Sequence, residues 1–183
     1  MRKALIVIDA QEDFTYGSLG TAEAIEALKI IERAVEYATD NDMEIIYTRD
    51  THKDEESYLQ SLEGKTLPVP HCLSQTKGWQ LCMEVLPRNF DNATVINKST
   101  FGTLDWNLRG NLACNDAIWI CGFCTDICVM ANFQILKTLY RNTPICVIKD
   151  ACAGTTPEKH QAALSVMTSC QAVIASLDKL IWP

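Results

Sequence analysis

The stretch AIWICGFCTDICVM, Ala117–Met130, decides the fold. Its first five residues, Ala117–Cys121, form an apolar run of strand length. From Asp126 the pattern changes to helical spacing, and DICVMANFQILKTLYRN reads as a helix ending at Asn142, before Pro144. An apolar strand leading directly into a helix is the building unit of a parallel sheet. The same alternation continues on both sides. Ala4–Ile8, Glu44–Thr48, Thr94–Ile96, Ile145–Ile148 and Ala172–Ala175 read as further strands. AEAIEALKIIERAVEYA carries Ile25, Leu28, Ile31 and Val35 at helical spacing. TTPEKHQAALSVMTSC opens a helix with Thr156 as N-cap and Pro157 at the first helical position. The expectation is a single α/β domain spanning residues 1–183, with a mostly parallel six-stranded sheet and helices on both faces.

Composition sets the limits. The chain has 183 residues, enough for one domain with a real core. Hydrophobic residues make up 48%, charged residues 21%, and the formal net charge is -7. This balance argues against nucleic acid or an anionic membrane as partner. No apolar run is long enough to span a bilayer. The basic, apolar N-terminus MRKALIVIDAQEDF reads as a first strand rather than a signal peptide, because its run is short and ends at Asp9. Nine cysteines without a disulfide-framework spacing suggest a reducing, cytoplasmic setting with mostly inert thiols. A small-molecule substrate and a homo-oligomeric assembly are expected.

In open α/β sheets, sites form beyond the carboxyl ends of the strands. That rule selects Asp9, Asp50, Lys98 and the segment Gly122–Cys128. Among the three clustered cysteines, Cys121 ends an apolar strand and is expected to pack. Cys124 lies in the turn. Cys128 falls about one turn into the helix, where the positive end of the dipole lowers a thiol pKa. Cys128 is thus the best placed to attack, with Asp9 as a possible base and Lys98 as a charge stabiliser. Thr125 and Asp126 suit a helix start, as N-cap or first-turn residues. The segment Thr51–Pro87 is polar and weakly periodic, and long connections of that kind are usually functional. It holds two of the chain's three histidines, His52 and His71, close after Asp50. Asp50 and His52 are spaced to share one side of an extended segment, and His71 completes a set suited to zinc, iron or manganese. His160, the third histidine, reads as structural or solvated.

VIDAQEDF after the first strand, NKSTFGT in the middle and GFCTDICV opening a helix resemble the isochorismatase-like cysteine hydrolases over nearly the whole chain. The resemblance implies a Rossmann-like three-layer α/β/α fold and an Asp–Lys–Cys triad on Asp9, Lys98 and Cys128. It also implies a cis peptide between Phe123 and Cys124, aiming the N–H groups of Cys124 and Cys128 into an oxyanion hole. The Asp-x-His…His element is similar to that of the nicotinamidase branch, which implies a divalent metal on Asp50, His52 and His71 and no organic cofactor. Glu63 is similar to a fourth ligand seen in some nicotinamidases. Phe14 and Trp79 are the expected ring neighbours of a carboxamide substrate. The activity implied is conversion of nicotinamide to nicotinic acid and ammonia, a step of NAD salvage. This chain reads DTHKDEE where the branch usually has an aromatic residue and a proline. Another small amide or ureido substrate is therefore the alternative. A thiol–disulfide oxidoreductase using Cys121 and Cys124, or a scaffold protein without activity, would be rivals of other classes.

Overall fold

The computed structural model describes residues 2–87, 93–107 and 112–181. Six strands form one sheet: β1 (Lys3–Ile8), β2 (Glu44–Asp50), β3 (Thr94–Lys98), β4 (Ala117–Phe123), β5 (Ile145–Ala153) and β6 (Val173–Ala175). Their order is β3-β2-β1-β4-β5-β6, and every neighbouring pair is parallel. The chain therefore winds outward in opposite directions from β1 and β4. Right-handed crossovers then place the helices of the two halves on opposite faces, giving a three-layer fold. Helix α2 (Ala22–Asp40) follows β1 and packs across the sheet, mostly against β5, with α7 (Leu177–Ile181) tied to it by the Arg33–Asp178 ion pair at 2.6 Å. Helices α5 (Met130–Leu139) and α6 (Pro157–Ser169) follow β4 and β5.

The central strands are apolar on both faces because both faces are covered. Residues Ala4 to Ile8 are completely buried. Helix α2 turns Ala24, Ala27, Leu28, Ile31, Ala34, Val35 and Ala38 inward, the stripe expected of a 3.6-residue period. Ile25 is only half-buried, since Ala24 takes the position on that stripe. Thr21 caps α2, accepting from the N–H of Ala24 at 3.0 Å. Thr156 caps α6 with Pro157 in its first turn, as the sequence suggests.

Four strands run past the ends read from the apolar pattern. β2 continues to Asp50, β3 to Lys98, β4 to Phe123 and β5 to Ala153. The added residues keep the parallel ladder: Arg49 pairs with Asn97 and Asp50 with Lys98. Asp50 and Lys98 turn toward the site, Arg49 and Asn97 bond each other at 2.9 Å, and Lys149 and Asp150 interrupt the apolar run of β5, so hydrophobicity does not register these ends as strand. Helix α5 is shorter than expected. The chain leaves it at Tyr140, whose carbonyl accepts from the N–H of Thr143 at 2.9 Å. The long segment after β2 contains two short helices, α3 (Glu55–Gln60) and α4 (Leu62–Thr66). It is fastened back beside the sheet by a parallel bridge between His52 and Leu73 and an antiparallel bridge between Gln11 and Leu81. A short helix, α1 (Glu12–Thr15), follows β1.

Gly122 has φ +121°, and a Cβ there would lie 1.9 Å from the carbonyl oxygen of Ile8 in β1. Only glycine meets both conditions, which lets β4 and β1 stay paired up to the rim. Gly122→Ala is expected to destabilise the protein by ~2–4 kcal/mol through strain and overpacking. The thermal midpoint should fall by ~5–10 °C. A midpoint within experimental error of wild type would contradict this account of the β1–β4 junction.

Candidate active site

The reversal in strand order opens a crevice at the carboxyl ends of β1 and β4, and the expected site residues gather there. Asp9 follows β1 with φ 49°. It is fully buried. Thr48, at the matching level of β2, donates from Oγ1 to Asp9 Oδ1 at 2.6 Å. Lys98 ends β3 and reaches under the rim, with Nζ 2.6 Å from Asp9 Oδ2. The same ammonium lies 3.5 Å from Cys128 Sγ and 3.5 Å from Asp50 Oδ1. Asp9, Lys98 and Cys128 thus form one buried cluster.

Burial pushes the Asp9 carboxyl up against the pull of the Lys98 ammonium. Burial also disfavours the charge on Lys98, but the anionic groups around it, Asp9 foremost, raise it above the usual lysine range. Burial pushes the Cys128 thiol well above its ordinary range, Asp9 adds to the shift and Lys98 opposes it. This corrects the expectation of a thiol made acidic by its helix start. The turn after β4 is π-helical over Thr125–Val129, with α5 continuing from it, and Cys128 is shut away from water on its inner side. Desolvation outweighs the dipole there.

Thr125 and Asp126 do not cap the helix with their side chains. The N-cap is Cys124, without a side-chain hydrogen bond. The peptide between Phe123 and Cys124 is cis, at the position the family resemblance implies. Cys121 is fully buried within β4, its thiol toward the carbonyl of Ile6, while Cys124 lines the crevice. All nine cysteines are free. The two thiols of the CGFC sequence thus lie in different surroundings, one in the core and one in the cavity.

Asp50, His52, Glu63 and His71 also meet, with one ligand atom from each lying within 4.8 Å of the others. Asp50 Oδ2 is 3.1 Å from His52 Nε2 and 3.5 Å from His71 Nε2. Glu63, carried by α4, comes to 3.6 Å from His71 Nε2. His71 Nδ1 donates to the carbonyl of Val69 at 2.9 Å. That bond leaves the Nε2 lone pair directed at the cluster, as in metal-binding histidines. Although burial opposes it, Asp50, Val69 and Glu63 raise the His71 pKa, so the cluster draws positive charge. Two imidazoles and two carboxylates suit a divalent transition metal, and the excess of carboxylate over Lys98 is what such an ion would balance.

Both clusters face one cavity of about 250 Å³. Asp50, Glu63, His71, Cys124 and Cys128 line it together with Phe14, Phe101, Phe123 and Ile127. Phe14 lines the cavity, edge-on to His71 at 5.6 Å. Trp79 does not line this cavity. Its indole N–H donates to Thr51 Oγ1 at 2.9 Å and its ring stacks under the Arg49 guanidinium at 3.7 Å.

Several supporting residues escape a sequence reading. Gln11 donates to the carbonyls of Asp50 and Trp79, both at 2.9 Å, and accepts from the N–H of Asp50 at 2.7 Å. It ties the end of β2, and with it Asp50, to the segment at Trp79. Asn132 donates to the carbonyls of Cys128 and Phe101 at 2.8 and 3.1 Å and accepts from the N–H of Thr103 at 3.1 Å. It binds the STFGT segment to the turn bearing Cys128. Tyr58 packs edge-on to His52 and His71, at 4.7 and 5.1 Å, and donates to the carbonyl of Leu67 at 2.7 Å.

A three-layer α/β fold with this crevice is that of a known class of hydrolases, and the sequence model of the isochorismatase domain matches residues 3–179. The chain belongs to the isochorismatase family of hydrolases. Among solved structures, it is similar to a nicotinamidase from Bacillus subtilis at 25% identity and TM-score 0.81, over 96% of this chain and 100% of that one. It is also similar, at 25% identity and TM-score 0.77, to a pyrazinamidase of Pyrococcus horikoshii in complex with zinc, over 97% and 100% of the two chains. An N-carbamoylsarcosine amidase from Thermoplasma acidophilum shares the fold at 20% identity and TM-score 0.78, over 96% of each chain. No curated protein matches.

Protein purified without chelator is expected to hold one divalent transition metal per chain by elemental analysis. In a His52→Ala, His71→Ala double variant, retention should fall at least ~10-fold, since half the donor set is gone. Full metal content in that variant would remove these four residues as the site. Glu63→Ala should weaken retention less than loss of either histidine.

Proposed function

We propose that the protein is a cysteine-dependent amidohydrolase of the nicotinamidase type, converting nicotinamide to nicotinic acid and ammonia. One observation carries the reading: the buried thiol of Cys128, joined to Asp9 and Lys98 behind it, lines one small cavity together with Asp50, Glu63 and His71 of the metal-type cluster. A flat heteroaromatic carboxamide has two matching features, a ring nitrogen at one end and a carbonyl carbon at the other. Asp50, His52, Glu63 and His71 would hold a metal whose chemistry is to accept the ring-nitrogen lone pair and so orient the substrate. The cavity is smaller than those usual for drug-sized ligands, which favours a substrate of about this size. Phe14 and Phe101 are its apolar neighbours.

Asp9 takes the proton of Cys128, and the thiolate attacks the carboxamide carbon. The N–H groups of Cys124 and Cys128 receive the oxyanion. Asp9 returns the proton to the nitrogen, the C–N bond breaks and ammonia leaves a thioester. Water, losing a proton to Asp9, cleaves that thioester to the carboxylic acid, and the proton returns to Cys128. Lys98 stays charged throughout and offsets whichever of its two neighbours is anionic.

A second reading keeps the chemistry and changes the substrate to another small amide or ureido compound. The DTHKDEE segment, without the aromatic residue and proline usual in the nicotinamidase branch, favours it. Ammonia release from nicotinamide, with and without chelator, separates the two.

Cys128→Ala is expected to abolish turnover in a folded protein, whereas Cys121→Ser and Cys124→Ser keep substantial activity. Equal loss in Cys124→Ser would favour a thiol pair over hydrolysis.

The two partners of the thiol should part in opposite directions. Lys98 lowers the Cys128 pKa, so Lys98→Ala should move the iodoacetamide labelling profile to higher pH. Asp9 raises it, so Asp9→Asn should move the profile to lower pH. Yet Asp9→Asn should still lose ~10²–10⁴-fold in amide turnover, because it has no proton to give the nitrogen. Labelling profiles that stay fixed in both variants would show that neither residue acts on the thiol.

A further inference from the structure

Thr125 and Asp126 stand between the two cysteines of the cavity and have no part in the reaction above. Both bond to the stretch from the end of β5 into α6, whose Gly154 and Thr155 also line the cavity. Thr125 is fully buried. Its hydroxyl meets His160 Nδ1 at 2.8 Å and has no other partner among the described residues. Asp126 accepts from the N–H and the hydroxyl of Thr155 at 2.8 and 2.7 Å. Gly154 lets the two segments close on each other: a Cβ there would lie 2.9 Å from Asp126 Oδ1 and 2.9 Å from both Cβ and N of His160. The turn that begins at Cys124 is thereby fastened to the first turn of α6.

The chemistry of the buried bond has a direction. A hydroxyl has one proton to donate, and Nδ1 is the acceptor available to it. His160 therefore stands as the neutral imidazole with an open Nδ1. An imidazolium would point Nδ1–H at a hydroxyl whose own proton then lacks an acceptor, a costly arrangement in a buried place. Burial holds His160 below the usual histidine range, Lys149 adds to this and Asp126 opposes it.

We propose that His160 is a positioning residue: through Thr125 it fixes the turn whose N–H groups at Cys124 and Cys128 take the oxyanion. The inference rests on the cysteine-hydrolase reading of the site. His160 is not among the residues lining the cavity and acts only through the turn. A π-helical turn is a rare conformation that occurs mostly at functional sites. This one is anchored by a side chain 35 positions away in sequence. Displacement of a catalytic donor by about 1 Å can cost ~10²-fold in rate, so slackening the anchor should be visible in turnover.

Four variants test it. Thr125→Val keeps the shape and removes the hydroxyl. Thr125→Ser keeps the hydroxyl. His160→Ala removes the acceptor, and His160→Asn restores one close to the Nδ1 position. Thr125→Val and His160→Ala are expected to lose ~10-fold in kcat for nicotinamide, with KM within ~2-fold. Iodoacetamide labelling of Cys128 should change by less than ~2-fold, because Asp9 and Lys98 still govern the thiol. Thr125→Ser and His160→Asn should regain most of kcat. Hydrogen exchange of the segment 120–130 should rise in Thr125→Val and His160→Ala and return in the other two. That measurement needs no substrate. If wild type fails to hydrolyse nicotinamide, the proposed function falls, and exchange alone decides the anchor. Unchanged exchange in Thr125→Val would overturn it. So would His160→Asn or Thr125→Ser as impaired as the variants that remove the bond.

Discussion

The Lys98 ammonium is the charge on which the whole site depends. It is buried at the end of β3, 2.6 Å from Asp9 and 3.5 Å from both Asp50 and Cys128. An unpaired ammonium in such a place would be strongly destabilising, and so would either carboxylate without it. The three strands β1, β2 and β3 therefore have to end at matching heights. The register delivers this, with Asp50 opposite Lys98 and Thr48 opposite Ile8. Lys98 also joins two pieces of chemistry that are separate in sequence. Its ammonium touches a residue of the thiol cluster and a residue of the metal-type cluster at once. A change in charge on either side is felt on the other through one atom.

This arrangement explains why the sheet is built as it is. Parallel strands with buried faces need little beyond apolar residues in their middles. Their carboxyl ends can then carry polar residues, because the reversal between β1 and β4 leaves a crevice there that no crossover helix fills. Gly122 is the exception that the crevice requires. It allows β4 to approach Ile8 so closely that Asp9 and the turn bearing Cys128 share one rim.

The middles of the strands, and hence the fold class, were legible in the sequence because burial on both faces leaves continuous apolar runs. The ends were not, because Arg49, Asp50, Asn97 and Lys98 are polar while remaining in the ladder. Asp50, His52 and His71 could be read together since they lie at the end of β2 and in the segment that follows it, and have a ligand's chemistry. The geometry brings them together with Glu63. Trp79 was misplaced because an indole near a site in sequence need not face it. Here it serves Thr51 and Arg49 instead. Gln11 and Asn132 gave no signal at all. Each works by hydrogen bonds to backbone groups, most of them tens of residues away, and an amide side chain carries no sequence pattern for such partners. The π turn at Thr125–Val129 was equally hidden, since its residues fit an α-helix just as well.

The raised pKa of Cys128 looks unsuited to a nucleophile, yet it suits the reaction proposed. In the tetrahedral adduct of a thiol and an amide, the thiolate is a far better leaving group than an amide anion. The adduct therefore collapses back unless its nitrogen is protonated. A thiol made strongly acidic would rest as thiolate, with its proton already lost to solvent and Asp9 ionised. Nothing near the nitrogen would then hold a proton. A buried thiol that at working pH ionises by passing its proton to Asp9 keeps that proton inside the cavity. The nucleophile and the acid needed for ammonia to leave are then formed by one transfer. Lys98 makes that transfer feasible, because its charge is offset by the carboxylate before the transfer and by the thiolate after it.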